Sequence, residues 1–149
     1  ADVERVRELA AKGFSAMTSD EQAEWLAGMK GAYNAADLNR VGTALNYLAA
    51  RLASICGKSI TWTAKTDWAV TDIITASQAE TYRRQIQDIR DALAYPAGTP
   101  DVPQLARLTY IGANDIERIL ALCEDLIVNV AKSFRHTGAA ECAAGGLLT

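Results

Sequence analysis

The sequence predicts an all-α protein of about five helices, including a C-terminal antiparallel helical hairpin and a short extended connector. Three observations favour this fold class. Apolar residues recur every three or four positions in the long segments, which is the spacing of one helix face. Capping signals precede several of those segments. Half of the 149 residues are hydrophobic but only 7% are aromatic, which suits helices that pack closely on one another.

Two short helices are expected at the start of the chain. Apolar residues recur at helical spacing over residues 2–12, and Gly13 should end this first helix. The tetrapeptide Thr18-Ser-Asp-Glu21 has the form of a capping box, because its hydroxyl and its carboxylate can each accept a backbone N–H. It predicts a second helix that reaches about Lys30, with Trp25 as a core residue.

A third helix should begin at Asn34 and end at Gly57. Asn34 is a favourable N-cap, and Asp37 in the first turn suits the helix dipole. The apolar stripe of this helix consists of Leu38, Val41, Leu45, Leu48 and Leu52. Their alternating steps of three and four are typical of a helix face and also of a coiled-coil seam. The stripe is therefore a candidate interface that serves either the monomer core or an oligomer axis.

Residues 58–74, KSITWTAKTDWAVTDII, differ in character from the helices around them. Ile60, Trp62 and several threonines favour extended structure, so we predict a connector here rather than a sheet. Trp62 and Trp68 form the one patch suited to contact a sugar or another protein, because indole rings stack on ligands and anchor interfaces. The alternative is that both rings cover the helical core under a loop.

The C-terminal half should contain two helices around a proline-rich loop. Thr75-Ala-Ser-Gln78 is a second capping box and predicts a helix through Leu93, while a long helix is expected from about Thr109 to Arg135. All three prolines fall within residues 95–103, which cannot continue a helix. We expect the two flanking helices to pack as an antiparallel hairpin.

These segments divide the chain into four parts. Residues 1–57 form an N-terminal helical part, 58–74 the connector, and 75–137 the hairpin. Residues 138–149 are a tail of small residues that we expect to be poorly ordered unless a partner chain orders it. The segments Ala35–Val41 and Ala113–Ile119 also resemble each other, as expected from an old duplication or from two helix starts under similar constraints.

The composition argues against several functions. The net charge of −3, without a long run of one sign, does not suit binding to a nucleic-acid backbone. No apolar stretch reaches the roughly 20 residues that span a bilayer. The three cysteines lie far apart at no metal-ligand spacing, and His136 is the only histidine. We therefore predict no catalytic residue, cofactor or metal; an enzyme would need a cluster of carboxylates or His136 in a concave pocket.

Four segments carry a resemblance to a known family. Residues 30–41 match K-G-A-Y-N-x-x-D-L-N-R-V, and residues 66–82 match a T-D-W segment that ends in tyrosine. Residues 96–103 match P-A-G-T-P-x-V-P, and residues 108–120 match L-T-Y-x-x-A-N-x-I-E-x-I-L. In this order the segments resemble a protein family encoded in the tail modules of prophages from Gram-positive, clostridia-like bacteria. The chain departs from the family at Gly112, where relatives place an acid, and in its tail.

The resemblance implies a virion structural protein of the tail tip, baseplate or fibre, without enzymatic activity. Such a protein is assembled in the cytoplasm of the bacterial host and contacts other tail proteins. Repeated virion subunits usually form closed homo-oligomers, and a trimer would suit a fibre. Two other functions remain open: a receptor-binding module that uses Trp62 and Trp68 on host cell-wall glycans, and a host-encoded helical adaptor unrelated to virions.

Overall fold

The fold is known from a computed structural model that describes residues 2–29 and 33–145, with side chains as far as residue 134. Within these ranges the chain forms five α-helices and no β-strand, so the prediction of an all-α protein of about five helices is confirmed. Two short 3₁₀ turns, Phe14–Ala16 and Leu105–Arg107, complete the secondary structure of this part of the chain.

The first two helices form a small unit with its own apolar cluster. Helix α1 spans Asp2–Lys12 and helix α2 spans Ser19–Leu26. The predicted capping box is present, because Thr18 and Glu21 each accept the other's backbone N–H. Helix α2 ends four residues before the predicted position, since Gly28 takes a positive φ of 85° that ends helical geometry. The unit's cluster comprises Leu9, Met17 and Met29, with Val6 and Trp25 packed against it.

Helix α3 spans Ala35–Cys56 and begins and ends at the predicted residues. The Asn34 side chain accepts the N–H groups of Ala36 and Asp37, and the Asp37 carboxylate accepts the N–H of Asn34. At the other end, Gly57 has a left-handed φ of 64°, which a glycine adopts without a steric penalty.

Helix α4 spans Ala76–Asp91 and follows the predicted capping box of Thr75 and Gln78. Helix α5 begins at Tyr110 and its backbone continues to Gly145, ten residues beyond the predicted end at Arg135. Residues 139–144 contain four alanines, and alanine has the highest helix propensity. Residues 146–149 of the predicted tail lie outside the described residues.

Helices α3, α4 and α5 share the main core of the protein. Its fully buried side chains come from all three helices, and half-buried residues of the connector and the proline-rich segment pack around them. The largest of these buried side chains are Val41, Leu45, Leu52, Ile86, Ile89, Ile116, Ile119, Cys123 and Ile127. The 3.6-residue periodicity therefore identified the faces that pack together.

The connector runs back along α3 in the opposite direction. Near the start of α3, Asn39 bonds the backbone of Trp68; further along the helix, Asn46 bonds the backbone of Ala64. As the residue number rises along α3, it therefore falls along the connector. The connector thus returns the chain to the end of the core at which α3 began.

Helix α4 then runs in the same direction as α3. The start of α4 lies beside Trp68, as shown by Gln78, which lines the same crevice as the Trp68 indole. Near the end of α4, Asp88 accepts a hydrogen bond from Trp62. Helix α4 is therefore also antiparallel to the connector, which makes it parallel to α3.

Helix α5 is parallel to both, and the predicted antiparallel hairpin is wrong. Arg40 near the start of α3 pairs with Glu117, and Arg51 further along pairs with Glu124, so residue numbers rise together along α3 and α5. The eighteen residues between α4 and α5 do not make a tight turn. They run back along α4 instead. Two contacts show this course: Arg90 on α4 donates to the Pro100 carbonyl over 2.8 Å, and Leu108 lies beside Tyr33 at the start of α3.

Candidate functional site

The predicted interface stripe of α3 lies in the core of the chain itself. Four of its side chains, Val41, Leu45, Leu48 and Leu52, are at most 2% exposed. Leu38, at the start of the helix, is half-buried against the same cluster. The stripe therefore serves the core of the monomer rather than an oligomer axis, since α4 and α5 of the same chain cover these side chains.

A polar row on α3 fixes the connector, and sequence reasoning missed it. Asn39 donates to the Trp68 carbonyl over 2.9 Å and accepts the Trp68 N–H over 2.7 Å. Asn46 bonds the carbonyl and the N–H of Ala64 in the same way, over 3.0 and 2.7 Å. Between them Gly42 admits the backbone, since a Cβ there would lie 2.4 Å from the Lys65 carbonyl oxygen. We call Asn39, Gly42 and Asn46 the connector clamp.

The sequence did carry a signal for this clamp. Two asparagines and a glycine stand at steps of three and four on one helix, although neither residue type favours a helix interior. Such a row indicates that another backbone passes close by and needs its polar groups satisfied.

The two predicted tryptophans occupy different places. The indole of Trp68 is buried, with 8% of the residue exposed, and the Lys65 ammonium lies 4.9 Å from the centre of its ring. Its Nε1 is buried without a hydrogen-bond partner among the described residues. Trp62 is half-buried and donates from Nε1 to Asp88 over 2.7 Å. A single surface formed by both rings is therefore not present in this arrangement.

Trp62 lines an open hollow at the end of the core where α3 and α4 finish. The hollow has a volume of about 450 Å³ and is bounded by the first residues of the connector and the last turn of α4. Its polar side chains include the carboxylates of Asp88 and Asp91 and the ammonium of Lys58. An aromatic face beside carboxylates is a surface on which a polar ligand with an apolar side can bind.

Polar contacts also join the starts of the parallel helices. Arg40 pairs with Asp37 over 3.1 Å and with Glu117 on α5. The hydroxyls of Tyr33 and Tyr82 lie 2.9 Å apart. Burial raises the pKa of Tyr33 to about 12, and burial, followed by the neighbouring Tyr33, raises the pKa of Tyr82 further. Both phenols therefore stay protonated at neutral pH and bond each other rather than acting as bases.

Apolar side chains are exposed at both ends of the core. At the end where α3 begins, Leu26, Trp68, Val70 and Ile74 line a groove of about 370 Å³ together with neighbouring residues, and Ile73 nearby is 90% exposed. At the other end, α5 continues past its last fully buried residue, Ile127. Phe134 on this continuation is 64% exposed. Both surfaces are available for contact with another protein.

The described residues contain no group of three or more histidine, cysteine or carboxylate side chains that could hold a metal. Cys56 and Cys123 are free thiols, half-buried and buried, while the side chains of His136 and Cys142 lie outside the described part of the chain. No described helix is both long and apolar enough to cross a membrane.

Comparison of the chain with protein-family models, with curated proteins and with solved structures gives no significant match in any of the three.

Proposed function

We propose that this chain is a structural or adaptor protein of a phage tail, located at the tip, baseplate or fibre, that acts through contacts between subunits. The proposal rests on the resemblance of four segments to a family from prophage tail modules. It assigns the chain no catalysis, and it places the protein in the virion after assembly in the bacterial cytoplasm.

One observation about these segments supports the proposal more than any other. Residues matched to the family in different segments pair with one another in the fold. The pairs are Tyr33 with Tyr82, Asn39 with Trp68, and Arg40 with Glu117. The shared residues thus join the start of α3 to α4, to the connector and to α5, as expected when a resemblance reflects a common scaffold rather than a common reaction.

The exposed apolar residues agree with a role in assembly. Ile73 and Phe134 lie near opposite ends of the core and each is more than half exposed. Scattered apolar residues are normal on any surface. A subunit with apolar surfaces at two ends is nevertheless suited to contact two neighbours, as a tail component must.

The test is to induce the prophage in the host that encodes the chain, purify the particles and quantify the chain by mass spectrometry. We expect several copies per particle at constant stoichiometry, and tail-assembly genes on either side of the coding gene. Particles that assemble and infect normally without the chain, together with a genomic context of host genes only, would favour the host-encoded adaptor instead.

A further inference from the structure

The hollow beside Trp62 lies where two helices end side by side. Because α3 and α4 are parallel, Gly57 after α3 and Asp91 at the end of α4 both border it. The last carbonyl groups of a helix carry partial negative charge. Two such ends at one hollow make its surroundings rich in hydrogen-bond acceptors.

We propose that this hollow is a binding site for a neutral saccharide, with Trp62 as the stacking surface and the carboxylates of Asp88 and Asp91 as acceptors for hydroxyl groups. The inference does not depend on the virion assignment. Of the two tryptophans predicted to contact a sugar, Trp62 lines this hollow, whereas Trp68 is buried elsewhere.

The Trp62 ring is held in place before any ligand arrives. Its Nε1 donates to Asp88 Oδ2 over 2.7 Å, and the residue packs partly against the main core. A ring that is already fixed loses little conformational entropy when a ligand binds. Its indole face suits the side of a pyranose ring on which C–H groups are exposed.

The carboxylates determine which kind of sugar fits. Asp88 and Asp91 are three residues apart on α4, and therefore neighbours on one helix face. Asp88 accepts from Trp62, while Asp91 accepts from Gln87 over 2.9 Å and lies 3.9 Å from the Arg90 guanidinium. An ionised carboxylate still has room for further donors. Lys58 is the one cationic side chain among the residues that line the hollow. The ligand must therefore bring donors rather than negative charge, which favours neutral sugars over acidic ones.

The experiment titrates the full chain with three neutral probes, chitotriose, cellotriose and galactose, and follows binding by ligand-observed NMR. Glucuronic acid is the acidic probe and lysine amide the cationic one. We expect saturable binding of at least one neutral sugar and weaker binding of glucuronic acid. Saturation by none of the neutral sugars, or preferred binding of glucuronic acid or lysine amide, would overturn the proposal.

Variants connect the binding to the hollow. Trp62→Ala should abolish it, and Asp91→Asn should weaken it about tenfold, since hydrogen bonds to charged groups are the stronger ones. Asp125→Asn, at an exposed position of α5, is the matched control and should bind as the original chain does. Unchanged affinity in Asp91→Asn would also contradict the proposal.

Folding is checked for every variant by circular dichroism. If Trp62→Ala fails to fold, Trp62→Leu replaces it, because leucine keeps an apolar side chain against the core but has no aromatic face. Loss of sugar binding by folded Trp62→Leu supports the site, and unchanged binding rejects it. Incorporation of the chain into phage particles is measured in a separate experiment. An absence of sugar binding would therefore contradict the saccharide site without contradicting the proposed virion role.

Discussion

At the level of single residues, Asn39 holds the connector against α3, a role that its position on a helix face does not indicate. One amide side chain satisfies both the N–H and the carbonyl of Trp68, over 2.7 and 2.9 Å. Backbone groups buried without partners cost free energy. Asn39 thereby lets the connector lie against α3 although no strand or helix pairs its backbone there.

We predict that Asn39→Ala lowers the free energy of unfolding by about 1–3 kcal/mol, because it leaves two backbone groups of Trp68 without their partner. Urea-induced unfolding followed by circular dichroism measures this change. Asn129→Ala is the matched control, since Asn129 is exposed on α5 and should change stability by no more than about 0.5 kcal/mol. Equal effects of the two substitutions would contradict the role of Asn39.

Glu21 makes the N-terminal unit sensitive to acid. The hydrogen bond from the Lys12 ammonium, 2.6 Å away, and then the Thr18 N–H lower the pKa of Glu21 from 4.5 to about 2. A carboxyl group whose pKa is lower in the folded state stabilises that state above its unfolded pKa. The stabilisation is lost as the pH falls toward 2, when the folded carboxylate is protonated.

We therefore predict that the N-terminal unit loses stability between about pH 4.5 and pH 2, and that Glu21→Gln removes part of this dependence. Amide hydrogen exchange in α1 and α2 at several pH values measures it. Glu24→Gln is the control, because the Glu24 carboxylate is more exposed than that of Glu21 and, within the described part of the chain, pairs with Arg5 alone. A steeper acid dependence in Glu21→Gln than in the original chain would show that the sign is wrong.

At the level of elements, local signals predicted the helices well. Thr18, Asn34 and Thr75 each cap the helix that follows them, because a cap depends on residues within one turn. The stripe of α3 was likewise recognisable from its periodicity. The partner of Asn39 was not, since Trp68 is distant in sequence and nothing local to α3 identifies it.

The direction of the helices could not be predicted in the same way. Periodicity gives the buried face of a helix but not whether the next helix runs up or down. The proline-rich loop of residues 95–103 predicts a hairpin, whereas the eighteen residues between α4 and α5 return along α4 before α5 begins. An extended segment of that length spans far more than the roughly 24 Å of a sixteen-residue helix. The length of the segment between α4 and α5, rather than its proline content, indicates the direction of α5.

A spin label tests the parallel arrangement. Ser77→Cys places the label at an exposed site in the first turn of α4, in a background where the other accessible cysteines are serine. We predict that it broadens amide resonances near the start of α5, around residues 111–117, because α4 and α5 begin at the same end of the core.

A label at Asp91→Cys, at the end of α4, is the control and should broaden resonances further along α5, around residues 124–130. An antiparallel hairpin would exchange the two results. The measurement therefore separates the observed topology from the one expected of a proline-containing turn.

At the level of the whole molecule, α5 is much longer than the core that it helps to form. Its 36 residues correspond to about 54 Å, against about 33 Å for the 22 residues of α3. Its apolar stripe, Cys123, Ile127, Val130 and Phe134, continues in steps of four, three and four residues, which keeps it on one face of the helix. Cys123 and Ile127 are fully buried by the same chain, while Phe134 is 64% exposed.

This continuation leads to a prediction about assembly. We expect the chain to associate with copies of itself through the exposed end of the α5 stripe, and Phe134→Ser to weaken that association, because burying a large apolar side chain contributes about 1.5–3 kcal/mol. Light scattering across a range of protein concentrations measures the mass. Lys132→Ser is the matched control, since Lys132 is exposed and lies on nearly the opposite face of the helix from Val130. A Phe134→Ser protein that keeps the full oligomeric mass, or an original chain that stays monomeric at every concentration, would show that this stripe does not join copies of the chain.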